Sequence, residues 1–234
     1  MKISIIIPAY NEEKRILRTL IQIREYIKKR KEDFEIIVID DGSMDNTAKI
    51  VENFNLKITI LRNGKNKGKG YSLKRGMLAS KGDVTLFMDA DSSTKIEELD
   101  KFFSYMNDYD ILIGSRAISQ SSVVVPQGFI RRNIGSLAHR LIQLVLKVEV
   151  HDTMCGFKMY NKKSRQFLFK KQINNGWGFD YEILFLAKKF NFKIKEIPIV
   201  WKNDFQSRVT IRGYLKSFGE LFSIRINDFL GKYN

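Results

Sequence analysis

An α/β fold with a mostly parallel central sheet and helices on both faces is predicted by three features of the first 115 residues. Five short runs, at 3–7, 35–39, 57–61, 84–88 and 110–113, are mostly too apolar for half-exposed strands and read as buried parallel ones. Segments with helical signals separate them, so strand, helix and strand alternate. Each polar motif follows directly on a strand, where open parallel sheets bind their ligands.

Between the first two strands, Ile16, Leu17, Leu20, Ile23 and Ile27 form one apolar stripe at helical spacing, with Arg and Lys opposite. Further helices are expected over 45–54, 71–80 and 96–106, the second closing at Gly82, with short connections throughout. Beyond residue 115 the pattern is less regular. It predicts helices at 129–147 and 180–190, a strand at 194–201 and a last helix at 213–230. No internal repeat, low-complexity tract or Pro/Gly linker breaks the chain. The expected organisation is one domain over 1–210, in two halves 1–115 and 116–210, followed by a C-terminal helical extension over 211–234.

A chain of 234 residues with 44% hydrophobic and 12% aromatic content can bury a full core without disulfides or metals. The one cysteine, Cys155, forms no internal bridge, which predicts a cytosolic setting. No run of 18 apolar residues occurs, and Pro8 and acids interrupt the opening "MKISIIIPAYNEE", so neither secretion nor a membrane span is expected. The net charge of +15 is unevenly spread: residues 1–115 hold 20 Lys and Arg against 18 Asp and Glu, residues 116–234 hold 21 against 8. The basic half suits an anionic partner, nucleic acid or a phosphate-bearing membrane surface; a merely solvated basic face is the plainer reading. Nucleic acid is disfavoured, because no recognisable binding module occurs and the aromatics sit in apolar runs rather than among lysines.

The segment "DVTLFMDADSSTK" ends a buried strand on Asp89 and Asp91. In extended backbone these point the same way while Ala90 faces the other side, so both carboxylates address one point. Two such charges repel unless a cation joins them, and a hard divalent ion, magnesium or manganese, with waters and substrate phosphates suits oxygen donors. His and Cys are too few for a soft zinc site. In "IDDGSMDNT", Asp40 and Asp41 close a strand, Gly42 permits a tight turn and Asp45 is expected to cap the next helix. Asp41 is placed to accept hydrogen bonds from a base or ribose. The loop "GKNKGKG" has three residues, not four, between Gly64 and Gly68 and lacks the Ser/Thr after the lysine, which rejects a P-loop. Its Lys69 either meets a diphosphate or belongs to a solvated surface loop.

The motifs "IIIPAYNEE", "VIDDGSMDNT", "NKGKG", "DVTLFMDADSSTK" and "ILIGSR", in this order, resemble the family 2 glycosyltransferases of the Rossmann-like GT-A fold. The later "HDTMCGFKMY", "WGFDYEIL", "EIPIVW" and "QSR" resemble dolichyl-phosphate β-glucosyltransferases more than dolichol-phosphate mannose synthases, over almost the whole chain. The resemblance implies a nucleotide-sugar half over 1–115 and an acceptor half over 116–210. It implies that Pro8, Ala9, Tyr10, Glu12, Ile39, Asp41, Lys69 and Ala90 serve the nucleotide sugar, and that Asp89 and Asp91 hold the metal on its diphosphate. Arg116 and Arg131 match positions gripping the acceptor phosphate, with Ser207 and Arg208 near the same phosphate or the diphosphate. Ser92 stands where the subfamily often has Gly, and Arg208 where Lys is common.

The activity so implied is inverting transfer of a hexose, glucose as the best match, from a UDP-sugar to a polyprenyl phosphate. A phosphate monoester, with a second pKa of about 6, is already anionic at neutral pH and needs no dedicated base. Arg116 and Arg131 then position it and compensate its charge. A glycan hydroxyl acceptor would instead require a base, for which Asp180 is the candidate; transfer of mannose from GDP-mannose is the other alternative. Asp180 and Glu182 either bind sugar hydroxyls or the arginine cluster, or Asp180 caps the helix it opens. His139 and His151 read as structural, Asp152 as a further acid of interest. The helices at 129–147 and 214–229 mix Leu, Ile and Phe with Arg and Lys, as interfacial helices do, although the same stripes would also serve to pack on the sheet. The expected location is peripheral, on the cytoplasmic face of a membrane.

Overall fold

The chain runs β1 (Lys2–Ala9), α1 (Ile16–Ile27), β2 (Asp33–Asp40), α2 (Thr47–Glu52), β3 (Ile58–Arg62), α3 (Lys69–Ala79), β4 (Val84–Met88), a 3-10 turn (Ile96–Leu99) running into α4 (Asp100–Phe103), and β5 (Ile111–Ser115). Then come β6 (Ser122–Val125), a helix α5 at 139–146, β7 (Phe157–Asn161), α6 (Lys162–Lys171), α7 (Phe179–Lys189), β8 (Ile194–Pro198), β9 (Val200–Lys202) and α8 (Ile211–Phe229). The computed structural model describes residues 1–125, 139–202 and 211–234.

Seven strands form one sheet in the order β3-β2-β1-β4-β7-β5-β8, all parallel to their neighbours except β7, which runs antiparallel between β4 and β5. Successive residues of β1 face opposite sides. Ile6 joins one apolar cluster with Leu73, Met77 and Leu184, while Ile5 and Ile7 join the other with Leu20, Ile23 and Leu99. Burial on both faces is why the strand carries no polar alternation, each buried Ile contributing about 1.5–3 kcal/mol.

The five expected strands of the first half are present, within about two residues at their ends. Four expectations are corrected. Strand 194–201 is two strands, β8 in the main sheet and β9 paired with β6 in a two-stranded sheet. The helix expected over 96–106 is the short 3-10 turn plus α4, and the one over 45–54 is only α2. Leu17 is 46% exposed rather than part of the buried stripe, because α1 packs on the sheet through Ile16, Leu20 and Ile23. Two elements escape the sequence pattern. In β7, Lys158 interrupts the apolar run, yet the residue is fully buried. In α6, the basic sequence "KKSRQFLFKK" drew no expected element, but Asn161 caps a helix there by accepting from the Ser164 amide at 2.8 Å.

The C-terminal segment is tied into the main core. Leu221, Ile224 and Tyr233 are buried in the same cluster as α7. The Tyr233 hydroxyl donates to the buried Glu182 carboxylate at 2.6 Å, and Glu182 also accepts from the amides of Ile173 and Asn174 at 3.1 and 2.9 Å. No helix among the described residues is long and apolar enough to cross a membrane. Tyr233→Phe removes one donor from a buried carboxylate and is expected to lower stability by about 2 kcal/mol, read as a lower urea midpoint at unchanged slope; an unchanged midpoint would dissociate the C-terminal tether from stability.

Candidate active site at the carboxyl ends of the parallel strands

β4 releases the chain at Met88, and the next turn is shaped by what approaches it. The Asp89 amide donates to the Gly156 carbonyl at 3.1 Å, and a Cβ on Gly156 would fall 1.9 Å from Asp89 Oδ2, so only glycine fits there. Asp91 Oδ1 accepts from the Ser93 amide at 2.9 Å, and the Arg18 guanidinium donates to the Asp91 carbonyl at 2.7 Å. Ser92 adopts a left-handed backbone, φ +55°, the conformation glycine favours. Its hydroxyl is held 2.6 Å from that of Thr19, which also donates to the Ala90 carbonyl at 2.7 Å. The loop thus accommodates serine in place of glycine. Asp89, Asp91, Ser93, Thr94, Gly156 and Trp201 line a small cleft.

Charge at this cleft is only partly compensated. Burial, and then the neighbouring Asp89, push the Asp91 carboxyl above its usual range. Lys69, at the start of α3, reaches Asp89 Oδ1 at 2.7 Å and lies over the rings of Trp177 and Phe87, 4.9 and 5.1 Å from their centroids. Burial disfavours the Lys69 ammonium, but Asp89, then Asp180 and Asp91, outweigh it and hold its proton more tightly than usual. Lys69 therefore belongs to the site and not to a solvated loop. Two close carboxylates with one ammonium on Asp89 retain negative charge, a donor set that fits magnesium or manganese. No cluster of three or more His, Cys, Asp or Glu poised for a metal occurs among the described residues, so the remaining ligands of such an ion would be phosphate oxygens and water.

The loops after β1 and β2 are sewn together beside this cleft. The Asp41 amide donates to the Ala9 carbonyl at 2.8 Å, that of Asn11 to Ser43 Oγ at 2.9 Å and that of Glu12 to Thr47 Oγ1 at 2.6 Å. Asp41 is buried and accepts from the amides of Lys67 and Gly68, both at 2.9 Å, and from Asn63 at 2.7 Å. It braces the basic loop that carries Lys69. Glu12 pairs with Arg15 through both oxygens. Asp45 is not the helix cap but the residue before it: it accepts from the Thr47 amide at 3.0 Å, with Asn46 at the cap position. Pro8 and Tyr10 are half-buried at the end of β1, whereas the side chains of Ile39 and Ala90 are packed in the core, Ile39 against Gly76.

On the other side of the cleft, Arg116 Nε and Nη2 both donate to Asp152, at 2.7 Å each, and its amide donates to the same carboxylate at 2.9 Å. The fork expected on an acceptor phosphate is closed on Asp152, and Arg116 stacks over the Trp201 ring, 5.1 Å from its centroid. Burial alone would raise the Asp152 carboxyl; the Arg116 charge and hydrogen bonds exceed that effect and hold it below the usual carboxylate range. Arg131, Ser207 and Arg208 lie outside the described residues. Asp180 does not cap α7, whose cap position is Gly178; it sits in the first turn, buried, bonded to the buried Lys158 ammonium at 2.5 Å. Burial raises the Asp180 carboxyl against the pull of Lys158 and Lys69. His151 is exposed and pairs with Glu196 at 2.8 Å, a surface contact. Sequence reasoning missed Trp177, Trp201 and Gly156 as parts of the site, although each stands in a motif quoted above.

An acidic pair at the end of a central strand, with a lysine upon it beside a small cleft, is an arrangement suited to a glycosyltransferase. Residues 4–169 match the family model described as Glycosyl transferase family 2, and the chain belongs to that family. It is 35% identical over 95% of its length to dolichyl-phosphate beta-glucosyltransferase ALG5C of Trichomonas vaginalis, covering 70% of that protein. To the dolichyl-phosphate beta-glucosyltransferase of Homo sapiens it is 29% identical over 99% of its length, covering 77% of the relative. Among solved structures, mannosyl-3-phosphoglycerate synthase of Rubrobacter xylanophilus matches 99% of the chain and 75% of its own with a TM-score of 0.74 at 15% identity. Glucosyl-3-phosphoglycerate synthase of Mycobacterium tuberculosis, in complex with Mn2+, UDP and glucosyl-3-phosphoglycerate, matches 99% and 79% with a TM-score of 0.69 at 17% identity. The fold is GT-A.

Asp152→Asn leaves Arg116 without its buried counter-charge and is expected to cost about 2–3 kcal/mol near pH 7, the low end for such pairs because Arg116 is partly exposed. A depressed carboxyl stabilises above its unfolded pKa of about 3.9 and loses that contribution as pH falls through its lower folded value. The gap in melting temperature between the two proteins should therefore close below about pH 4; a constant gap down to acid pH would refute the ion pair as its cause.

Proposed function

We propose that this protein transfers glucose from UDP-glucose to a polyprenyl, dolichyl-type phosphate with inversion at the anomeric carbon. The observation that carries the reading is the Asp89–Asp91 pair with Lys69 placed upon it at the strand ends. Support for the lipid phosphate comes from the relatives' names, and from the state of Asp180. A hydroxyl acceptor would need it as a base, and it is tied to Lys158. An acceptor phosphate brings its own anionic oxygen.

In the displacement, a phosphate oxygen of the acceptor forms a bond to the anomeric carbon as the bond from that carbon to the UDP diphosphate oxygen breaks, its electron pair leaving on the diphosphate. Lys69 lies where that growing charge would be met. A divalent ion held by Asp89 and Asp91 would supply further positive charge to the same oxygens. Arg116, closed on Asp152, forms a neutral pair that shapes the acceptor side rather than a two-pronged grip, leaving the grip to Arg131, Ser207 and Arg208. Pro8, Ala9, Tyr10, Glu12 and Asp41 frame the nucleoside end.

The enzyme meets its acceptor at a membrane surface, on our reading the cytoplasmic face. On α8, Phe222, Ile226 and Phe229 are exposed at helical spacing with Leu230 just beyond, while Leu221 and Ile224 face the core. Arg225 flanks the exposed stripe, and Leu144 on α5 is 75% exposed between Arg140 and Lys147. Apolar side chains beside basic ones suit an anionic lipid surface, where each basic residue contributes about 1 kcal/mol.

Incubating the purified protein with a panel of labelled nucleotide sugars and a polyprenyl phosphate should send label into the organic phase with UDP-glucose. Asp91→Asn should lower that transfer at least about 100-fold and weaken its manganese dependence. Label remaining aqueous with every donor would refute the acceptor, and undiminished manganese-dependent transfer by Asp91→Asn the metal assignment. The Phe222→Glu/Phe229→Glu protein should pellet less with vesicles containing anionic lipid, and the parent less as salt is raised; equal pelleting would remove α8 from the membrane contact.

A further inference from the structure

The loop over 173–178 connects the C-terminal helix to Lys69. Its Trp177 is flanked by Gly176 and Gly178, and both glycines face one carboxylate. A Cβ on Gly176 would fall 2.0 Å from Glu220 Oε1, and one on Gly178 2.7 Å from Glu220 Cβ. The Gly178 amide donates to Glu220 Oε2 at 2.6 Å. From the other side, the loop backs onto the start of α3: the Tyr71 amide donates to the Asn175 carbonyl at 3.1 Å, and a Cβ on Gly68 would lie 2.3 Å from that oxygen. Trp177 itself lies against the Lys69 ammonium, which is on Asp89.

We infer that Glu220 is a positioning residue for glycosyl transfer, setting Trp177 so that this ring walls the Lys69 ammonium toward the donor diphosphate. The carboxylate lies on the most C-terminal helix, more than 40 residues beyond the loop, and among the described residues it bonds to none that lines the cleft. It acts through the backbone of a loop that two glycines leave bare for it. Glu182 and Tyr233 hold the beginning of the same loop, so its two ends are fastened separately, and Trp177 is carried at the end that Glu220 holds. The inference rests on the donor-site reading of Lys69.

The test uses the full chain, with kinetics in the parent sequence and fluorescence in a Trp201→Phe background, where Trp177 is the one remaining tryptophan. Glu220→Ala should fold, since Glu220 is only half-buried and alanine favours helix. Its Trp177 emission should shift to the red and be quenched more readily by acrylamide. Transfer efficiency with UDP-glucose should fall roughly ten- to hundredfold, mainly in kcat because charge on the leaving diphosphate grows in the transition state. Glu220→Gln keeps an acceptor for the Gly178 amide and should restore most of both signals. Glu220→Asp, one methylene short, should behave like Glu220→Ala and replaces it if that protein does not fold. Unchanged emission and quenching in Glu220→Ala and Glu220→Asp would overturn the inference, as would a lower melting temperature with kinetics of the folded enzyme unaltered. If the parent itself transferred no sugar, the proposed function would fall, while the fluorescence would still decide whether Glu220 sets Trp177.

Discussion

Two carboxylates at the end of a buried strand are the electrostatic constraint around which this site is arranged. Burial, and then the neighbouring Asp89, raise the cost of ionising Asp91. The surroundings answer with a lysine on Asp89, the Ser93 amide on Asp91, and a glycine at 156 that admits the Asp89 carboxylate where a Cβ would collide. The compensation is incomplete. The pair therefore keeps residual negative charge, which favours a cation beside it.

The same logic extends one layer outward. Lys158 is buried without access to water and finds Asp180; Arg116 finds Asp152; Lys69 finds Asp89. Each pair joins a residue at the end or middle of one strand to a residue from a different segment, so each fixes two segments of the chain to one another beside the cleft. An unpaired charge at any of these places would be costly, whereas each pair, with its extra hydrogen bonds, is tolerated and defines a geometry. Asp41 plays the corresponding part for the basic loop, whose amides it collects.

Much of the fold was legible because parallel strands buried on both faces leave runs such as Ile3 to Ile7 that no other element explains. The acidic pair at a strand end was legible, but not its geometry: β4 ends at Met88 and Ala90 and Asp91 lie in a turn, so the turn, not alternation along a strand, brings both acids to one cleft. Strand β7 was not legible, since Lys158 in its middle reads as exposed until Asp180 is brought beneath it. Helix α6 was hidden by its basic composition, and the split of 194–201 into β8 and β9 depends on pairing with β6, which local pattern does not record. Lys69 stood between a diphosphate contact and a solvated loop, and the solvated loop was excluded by a ring and a carboxylate from elsewhere in the chain.

The sequence alone determined the kind of sheet, the side of it on which polar loops gather, and the presence of two acids at one strand end. Those properties depend on periodicity and on neighbours within a few residues. The tertiary structure decided which opposite charge each ionised group meets, that Arg116 closes on Asp152, and that the last helix reaches the loop beside Lys69. Those are contacts between segments 20 to 40 residues or more apart, where chain spacing carries no distance information and only the packed core brings the partners together.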